Sequence, residues 1–146
     1  MPDRRPILTV CMGAPASGKS TWCAEWGSAA VVVSGDSIRY GADPAAVFAR
    51  MMQLAKGALA EGRDVIVDAC STRAVDRSPW LFLAKKKRCT TRLVIFATPT
   101  ALCRRRDAKR SRPAGRVDAY AARMKESLRV VRFEGWDEIV TVTGAT

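Results

Sequence analysis

Short runs of apolar, β-branched residues alternate along this chain with stretches whose apolar positions recur at helical spacing. Ile7 to Met12 is apolar almost throughout and stops at Gly13, the pattern of a buried strand entering a turn. Lys19 to Ser28 is compatible with a helix, and Val31-Val32-Val33-Ser34 is a second strand closed by Gly35. Asp43 before Pro44 is a helix cap with proline at the first helical position. Val47, Met51, Leu54, Ala55, Ala58 and Leu59 then keep one helical face apolar until Gly62. Val65-Ile66-Val67 forms a third strand ending at Asp68, and Trp80 to Lys87 reads as a helix with a basic end. Leu93 to Ala97 is the fourth strand. A helix from Thr100 to Arg110, a break at Arg112-Pro113-Ala114-Gly115, a helix through Tyr120, Met124, Leu128 and Val131, and a fifth strand at Ile139 to Val142 complete the chain. Strands that are apolar on both faces and alternate with helices require a parallel sheet covered on each side. The expected fold is α/β, with four or five parallel strands flanked by helices. No repeat or linker divides the chain, so residues 1–146 are expected to form a single domain.

Charge changes this picture more than composition does. The 146 residues are 48% hydrophobic and 27% charged, ordinary globular values, but 25 Lys and Arg against 14 acids leave a net +11. The whole excess falls between Lys85 and Arg116, where Asp107 is the lone acid. A polyanionic partner met by one region is the expectation. The chain has no histidine, which excludes imidazole bases and His metal sites and leaves general base chemistry to a carboxylate. Cys11, Cys23, Cys70, Cys89 and Cys103 are odd in number and contain no CxxC spacing. They read as small hydrophobes of a cytoplasmic protein. No apolar run approaches a membrane span, so no membrane partner is expected. Arg4-Arg5 before Ile7 to Met12 and Ala14-Pro15-Ala16 mimics a signal peptide, but its apolar part is too short.

The same residues have a chemical explanation. Gly13-Ala14-Pro15-Ala16-Ser17-Gly18-Lys19-Ser20 matches G-x-x-x-x-G-K-[ST] between a strand and a helix, where a phosphate-binding loop belongs. Glycines let the backbone wrap an anion, so that amides from Ala16 to Thr21 converge on a β-phosphate at the positive end of the helix. Lys19 would bridge the β- and γ-phosphates of ATP or another nucleoside triphosphate, and Ser20 would offer its hydroxyl to Mg²⁺ or Mn²⁺.

A kinase also needs a base for the acceptor hydroxyl. Asp36 follows the second strand at the carboxyl edge of the sheet. Arg39 stands one helical turn on, placed to grip an anionic part of the acceptor. A helix cap and a solvated arginine would be the plain structural account of the same pair. Asp68, at the end of the third strand, is positioned for the metal or its waters, with turn capping as the alternative. Arg104-Arg105-Arg106-Asp107-Ala108-Lys109-Arg110 forms an arginine-rich lid candidate in which Arg106 and Arg110 share a face. Lys85-Lys86-Lys87-Arg88 reads as a surface face that attracts polyanion.

Taken in order, the segment Gly13 to Trp22, Asp36-x-x-Arg39, Asp68, Arg106-x-x-x-Arg110 and Phe133-Glu134-Gly135-Trp136-Asp137-Glu138-Ile139 resemble the kinase domain of the phage-type polynucleotide 5′-kinase family. The resemblance implies a P-loop NTPase fold of adenylate-kinase type and transfer of the ATP γ-phosphate to the 5′-hydroxyl of a single-stranded DNA or RNA end. It implies Asp36 as general base and Arg39 as ligand of the phosphate next to the acceptor nucleoside. Lys19 and Arg110 would then stabilise the γ-phosphate, and Arg106 would be a lid contact to the donor. The sequence departs from that family where Ala69-Cys70 follow Asp68, and it carries no D-x-D-x-T phosphatase signature, so kinase activity without phosphatase activity is expected. Two other functions fit parts of the pattern: a P-loop kinase of a nucleoside or other small hydroxylated metabolite, and a basic nucleotide-dependent nucleic-acid-binding module. The sequence shows no aromatic stacking platform for the second, its tryptophans being scattered.

Overall fold

The computed structural model describes residues 4–26, 29–35, 43–110 and 115–143. Five strands, β1 (Ile7–Met12), β2 (Ala30–Ser34), β3 (Asp64–Asp68), β4 (Thr90–Phe96) and β5 (Glu138–Val142), form one sheet in the order β2-β3-β1-β4-β5. Every pairing is parallel, with Val10 level with Val67 on one side and Leu93 on the other. The helices are α1 (Lys19–Trp26), α2 (Pro44–Ala60), α3 (Ala74–Lys87), α4 (Thr100–Ala108) and α5 (Arg116–Ser127), and a 3-10 turn follows at Val131–Phe133.

Right-handed crossovers decide which face each helix covers. The chain moves one way across the sheet from β1 to β2 and the other way in every later crossover, so α1 lies on one face and α2, α3 and α5 on the opposite one. The contacts agree. Leu8, Val10, Val65, Val67, Leu93 and Ile95 pack with Met51, Ala55, Trp80, Leu83 and Met124 in the larger core. Cys11, Ile66, Val94 and Phe96 pack with Cys23 of α1 in the smaller one. Both faces of the central strands are therefore buried, which is why they read as unbroken apolar runs.

Helix α2 begins as expected, with the Asp43 carboxylate accepting from the amides of Ala45 and Ala46 at 2.9 and 3.1 Å. Its apolar face is Val47, Met51, Ala55, Ala58 and Leu59, while Leu54 lies on the exposed flank. Helix α3 starts six residues earlier than the sequence pattern suggests. Pro79 sits inside it, and the Asp76 carboxylate caps its first turn by accepting from the Arg73 amide at 3.2 Å. Strand β4 likewise starts three residues early, at Thr90, because the Asp137 carboxylate accepts from the Thr91 amide and hydroxyl and draws that end into the sheet.

The basic stretch from Lys85 to Arg116 is not one surface. Helix α3 runs back toward the amino edge of the sheet, so Lys85 to Arg88 are exposed at the end opposite the phosphate loop, whereas Arg110 and Arg116 return to the loop's own end. Parallel βα units alternate direction, and a charge run that spans a helix end and a strand is divided between the two edges.

Arg77 is fully buried and was not foreseen. Its Nε and Nη2 donate to the two Glu134 carboxylate oxygens at 2.9 and 2.7 Å, and its Nη1 donates to the Ser71 carbonyl at 3.0 Å and the Ser127 hydroxyl at 2.9 Å. Ser127 in turn donates to the Thr72 carbonyl at 2.6 Å, and the Trp136 indole N–H donates to Glu134. Burial opposes ionisation of Glu134, but the Arg77 guanidinium and the Trp136 indole outweigh it and hold the carboxyl below its ordinary range. The Cys23 thiol, 3.8 Å away, and burial together push the Cys11 thiol up, and burial does the same to Cys89 and Cys103. Cys11, Cys23, Cys89 and Cys103 are buried, as expected, while Cys70 is half-buried. Among the described residues no helix is long and apolar enough to cross a membrane.

Removing one member of a buried ion pair strands the other, at about 3–5 kcal/mol. Arg77→Ala is expected to lose stability on that scale in urea unfolding. Because the Glu134 pKa is depressed by folding, its contribution is present above the ordinary carboxylate range and is lost as pH falls through the lowered value. Glu134→Gln should flatten that acid limb of the stability profile.

Candidate phosphate-binding site

Strand β1 sits between β3 and β4, so the loop that leaves it is flanked by the carboxyl ends of both neighbours. Gly13 bonds to the segment just after β3 through its amide, which donates to the Cys70 carbonyl at 3.0 Å. An added Cβ on Gly13 would stand 2.6 Å from Ser17 Oγ and 2.8 Å from Phe96 Cβ, so a side chain has no room there. Ala16 and Gly18 have φ of 64° and 101°, and these left-handed turns curl the loop before α1 begins at Lys19. On the β4 side the Thr98 hydroxyl donates to the Ser17 carbonyl at 2.7 Å.

The buried Lys19 ammonium donates to the Gly13 and Ala14 carbonyls at 2.9 and 2.7 Å, spanning the mouth of the loop. Ser20 Oγ donates to Asp68 Oδ2 at 3.0 Å, which joins the helix residue expected to meet a metal to the acid expected beside it. Hydroxyl and carboxylate are hard oxygen donors of the kind Mg²⁺ takes, with phosphate oxygens and waters completing its shell. From α4, Arg106 Nη1 donates to the Ala16 carbonyl at 3.3 Å, so the candidate lid arginine rests on the loop itself. Arg104 instead pairs with Asp118 at the surface.

The loop opens into a cavity of about 630 Å³. Lys19, Ser20 and Thr21 form one side and Asp68 to Ser71 the floor. Pro44, Phe48 and Met51 of α2 face Val75, Pro79 and Trp80 of α3, and Arg110, Arg116, Tyr120 and Arg123 close the remaining side. Arg110 thus lines the cavity into which the loop opens. Asp36, Arg39 and residues 111–114, which include most of the break expected at Arg112 to Gly115, lie outside the described residues; Gly35, immediately before Asp36, lines the cavity.

Several cavity residues escaped the sequence reading. Phe48 and Trp80 meet edge to face with ring centroids 5.5 Å apart, so an aromatic wall is assembled from two helices that look unrelated in sequence. Arg73 carries a bidentate ion pair with Asp76, and Arg123 stacks 4.7 Å over the Tyr120 ring. Arg73 and Arg123 lie outside the basic stretch that drew attention to charge. Thr98 could have been found, since it lies two residues past the end of β4 at the edge where ligands collect.

A parallel sheet with this strand order and a glycine-rich loop capping the central strand defines a P-loop domain of kinase-like fold. The chain belongs to the AAA domain family, whose model matches residues 8–133. No curated protein matches significantly. Among solved structures, a candidate kinase from Chloroflexus aurantiacus aligns with a TM-score of 0.68 at 18% identity, covering 96% of this chain and 89% of that one. A chain of the Pnkp1/Rnl/Hen1 RNA repair complex aligns at 0.71 and 19% identity. It covers 86% of this chain, which spans only 46% of that partner's length. The Mycobacterium tuberculosis APS kinase CysC, solved with AMPPNP and APS, aligns at 0.56 and 24% identity over 94% and 88% of the two chains.

Gly13→Ala must displace Ser17 or the buried Phe96, an overpacking that costs about 1–3 kcal/mol. Urea unfolding is expected to register that loss, and titration with a fluorescent ATP analogue should show weakened binding alongside it.

Proposed function

We propose that this domain is an ATP-dependent polynucleotide 5′-hydroxyl kinase, acting on DNA or RNA ends in nucleic-acid repair. The observation that carries the reading is the charge of the cavity. Among the described residues its wall holds Lys19, Arg73, Arg110, Arg116 and Arg123 against only Asp68 and Asp76. A triphosphate on the loop accounts for Lys19 and Arg110. Arg73 is paired with Asp76 and Arg116 stands 3.8 Å from Asp107, so the cavity's remaining positive charge lies on the α5 side, at Arg116 and Arg123, where it suits an acceptor that is itself anionic, as a strand end is and a neutral sugar is not. The similarity to a chain from an RNA repair complex supports the same choice.

In this reading the amides of Ala16 to Thr21, with Gly13, Ser17 and Gly18 shaping the loop, hold the donor phosphates. Mg²⁺ bound by Ser20, with Asp68 acting through water, would supply charge neutralisation on the phosphate oxygens. Lys19 and Arg110 stabilise the transferring phosphoryl group, and Arg106 steadies the donor side from its contact with Ala16. Asp36 takes the proton of the acceptor hydroxyl, and Arg39 binds the adjoining phosphate. Gly35 at the cavity wall supports this placement by bringing the chain to the acceptor side.

Incubation with labelled ATP, Mg²⁺ and 5′-hydroxyl oligomers of DNA and RNA tests the proposal; transfer to a nucleoside but never to an oligomer would favour a metabolite kinase instead. Asp36→Asn is expected to lower transfer by about 10²- to 10⁴-fold with ATP binding retained. Oligomer affinity should fall with added salt by roughly 0.7 log units per log unit of salt for each phosphate contacted.

A further inference from the structure

The amino edge of the sheet carries a second concentration of charge, remote from the cavity. Arg63 stands immediately before β3, Arg5 two residues before β1 and Arg88 two residues before β4, and these three strands are neighbours in the order β3-β1-β4. Leu8 is level with Val65 and Ile7 with Thr90, and the Thr90 amide donates to the Pro6 carbonyl at 2.9 Å. The three strand entries therefore lie side by side, about 5 Å apart. Lys85, Lys86 and Lys87, the last residues of α3, adjoin Arg88. The acids nearby are engaged. Asp64 accepts from Arg4 and from the Ile7 amide, both at 2.9 Å, Asp137 accepts from Thr91, and Glu138 pairs with Arg92. Among the described residues this leaves Arg5, Arg63, Lys85, Lys86, Lys87 and Arg88, all exposed, against Glu61. Phe82, 72% exposed, lies one turn before Lys85 and Lys86 on the same face of α3.

We infer that this edge is a second nucleic-acid site, which binds the backbone of a single strand and stacks one of its bases on Phe82. The inference goes beyond the acceptor reading and does not rest on it: the six residues of β1, at about 3.3 Å each, separate the edge from the cavity by roughly 20 Å, so the two sites work apart. Six cations drawn from three chain segments and facing one acid select a polyanion. The ring selects among polyanions. A single strand alternates flat bases with phosphates, so it can meet an exposed ring and flanking cations together, whereas a duplex hides its base faces. An anionic membrane would also meet the cations, but interfacial binding draws on buried apolar area, and one ring supplies little of it.

A circular single-stranded oligodeoxynucleotide has no end to offer the cavity and is the probe. Its affinity is measured by fluorescence anisotropy over a range of salt for the wild type, for Lys85→Gln/Lys86→Gln, and for Arg50→Gln/Lys125→Gln, which removes the same charge from exposed positions away from this edge. Each single-strand phosphate contact contributes about 0.7 to the slope of log affinity against log salt. The edge pair should flatten that slope by about 1.4 and the control pair should leave it in place. Arg5→Gln, in a segment far off in sequence, should flatten it by about 0.7. Phe82→Ala should weaken the circle by about 5- to 150-fold, the range for a base stacked on an aromatic ring, and leave the affinity for inorganic polyphosphate, which has no bases, unchanged. All these positions are exposed and glutamine is a good helix former, so shared urea midpoints check the fold. Equal flattening by the control pair, an unchanged affinity for the circle in Phe82→Ala, or capture of the protein by phosphatidylserine vesicles with the circle left unbound overturns the site. Failure on the circle leaves the kinase reading standing, and binding of the circle by a protein that transfers no phosphate upholds the edge site while removing that reading.

Discussion

Everything at the site follows from the position of β1 between two parallel neighbours. A loop leaving the central strand emerges with a strand end on each side, and here those ends supply opposite chemistry. Asp68 from β3 meets the Ser20 hydroxyl, and Thr98 beyond β4 fixes the Ser17 carbonyl. The loop therefore needs no long side chains of its own to hold its shape. Gly13 is the point where the packing is tightest, wedged against Phe96 at the end of the adjacent strand.

The crossovers extend this arrangement outward. Because α2, α3 and α5 share one face, their ends nearest the carboxyl edge form a ring around the phosphate loop, and the cavity is the space among them. The walls differ in character because the helices differ in their other duties. Helices α2 and α3 bury apolar faces against the sheet and carry that character to the rim as Phe48, Val75 and Pro79. Helix α5 contributes Met124 to the core and turns Arg116 and Arg123 toward the cavity.

Local signals were legible in the sequence wherever one residue type had one physical use. The phosphate loop was visible because glycine, lysine and serine at that spacing have few other reasons to occur together. Helix α2 was visible because Asp43, Pro44 and Gly62 punctuate it. The first turns of α3 carry no apolar pattern of their own and contain Pro79, and the cap at Asp76 draws its meaning from a geometry that only the folded helix supplies. Arg77 could not be recognised, since a buried arginine and a solvated one look alike until Glu134, fifty-seven positions away, is seen to meet it. The aromatic wall was illegible for the same reason: Phe48 and Trp80 are partners only in three dimensions. Charge misled in the other direction, because proximity along the chain between Lys87 and Arg110 conceals their placement at opposite edges of the sheet.

The Arg77 cluster also has a mechanical meaning. It ties the β3–α3 turn, through the Ser71 and Thr72 carbonyls, to the last residue of α5 and to Glu134 beyond it. The α3 and α5 sides of the opening are thereby riveted into one frame from behind. A guest settling between them meets a gap whose width is already set, and the ordering that a looser opening would demand at the moment of binding has been completed when the chain folds.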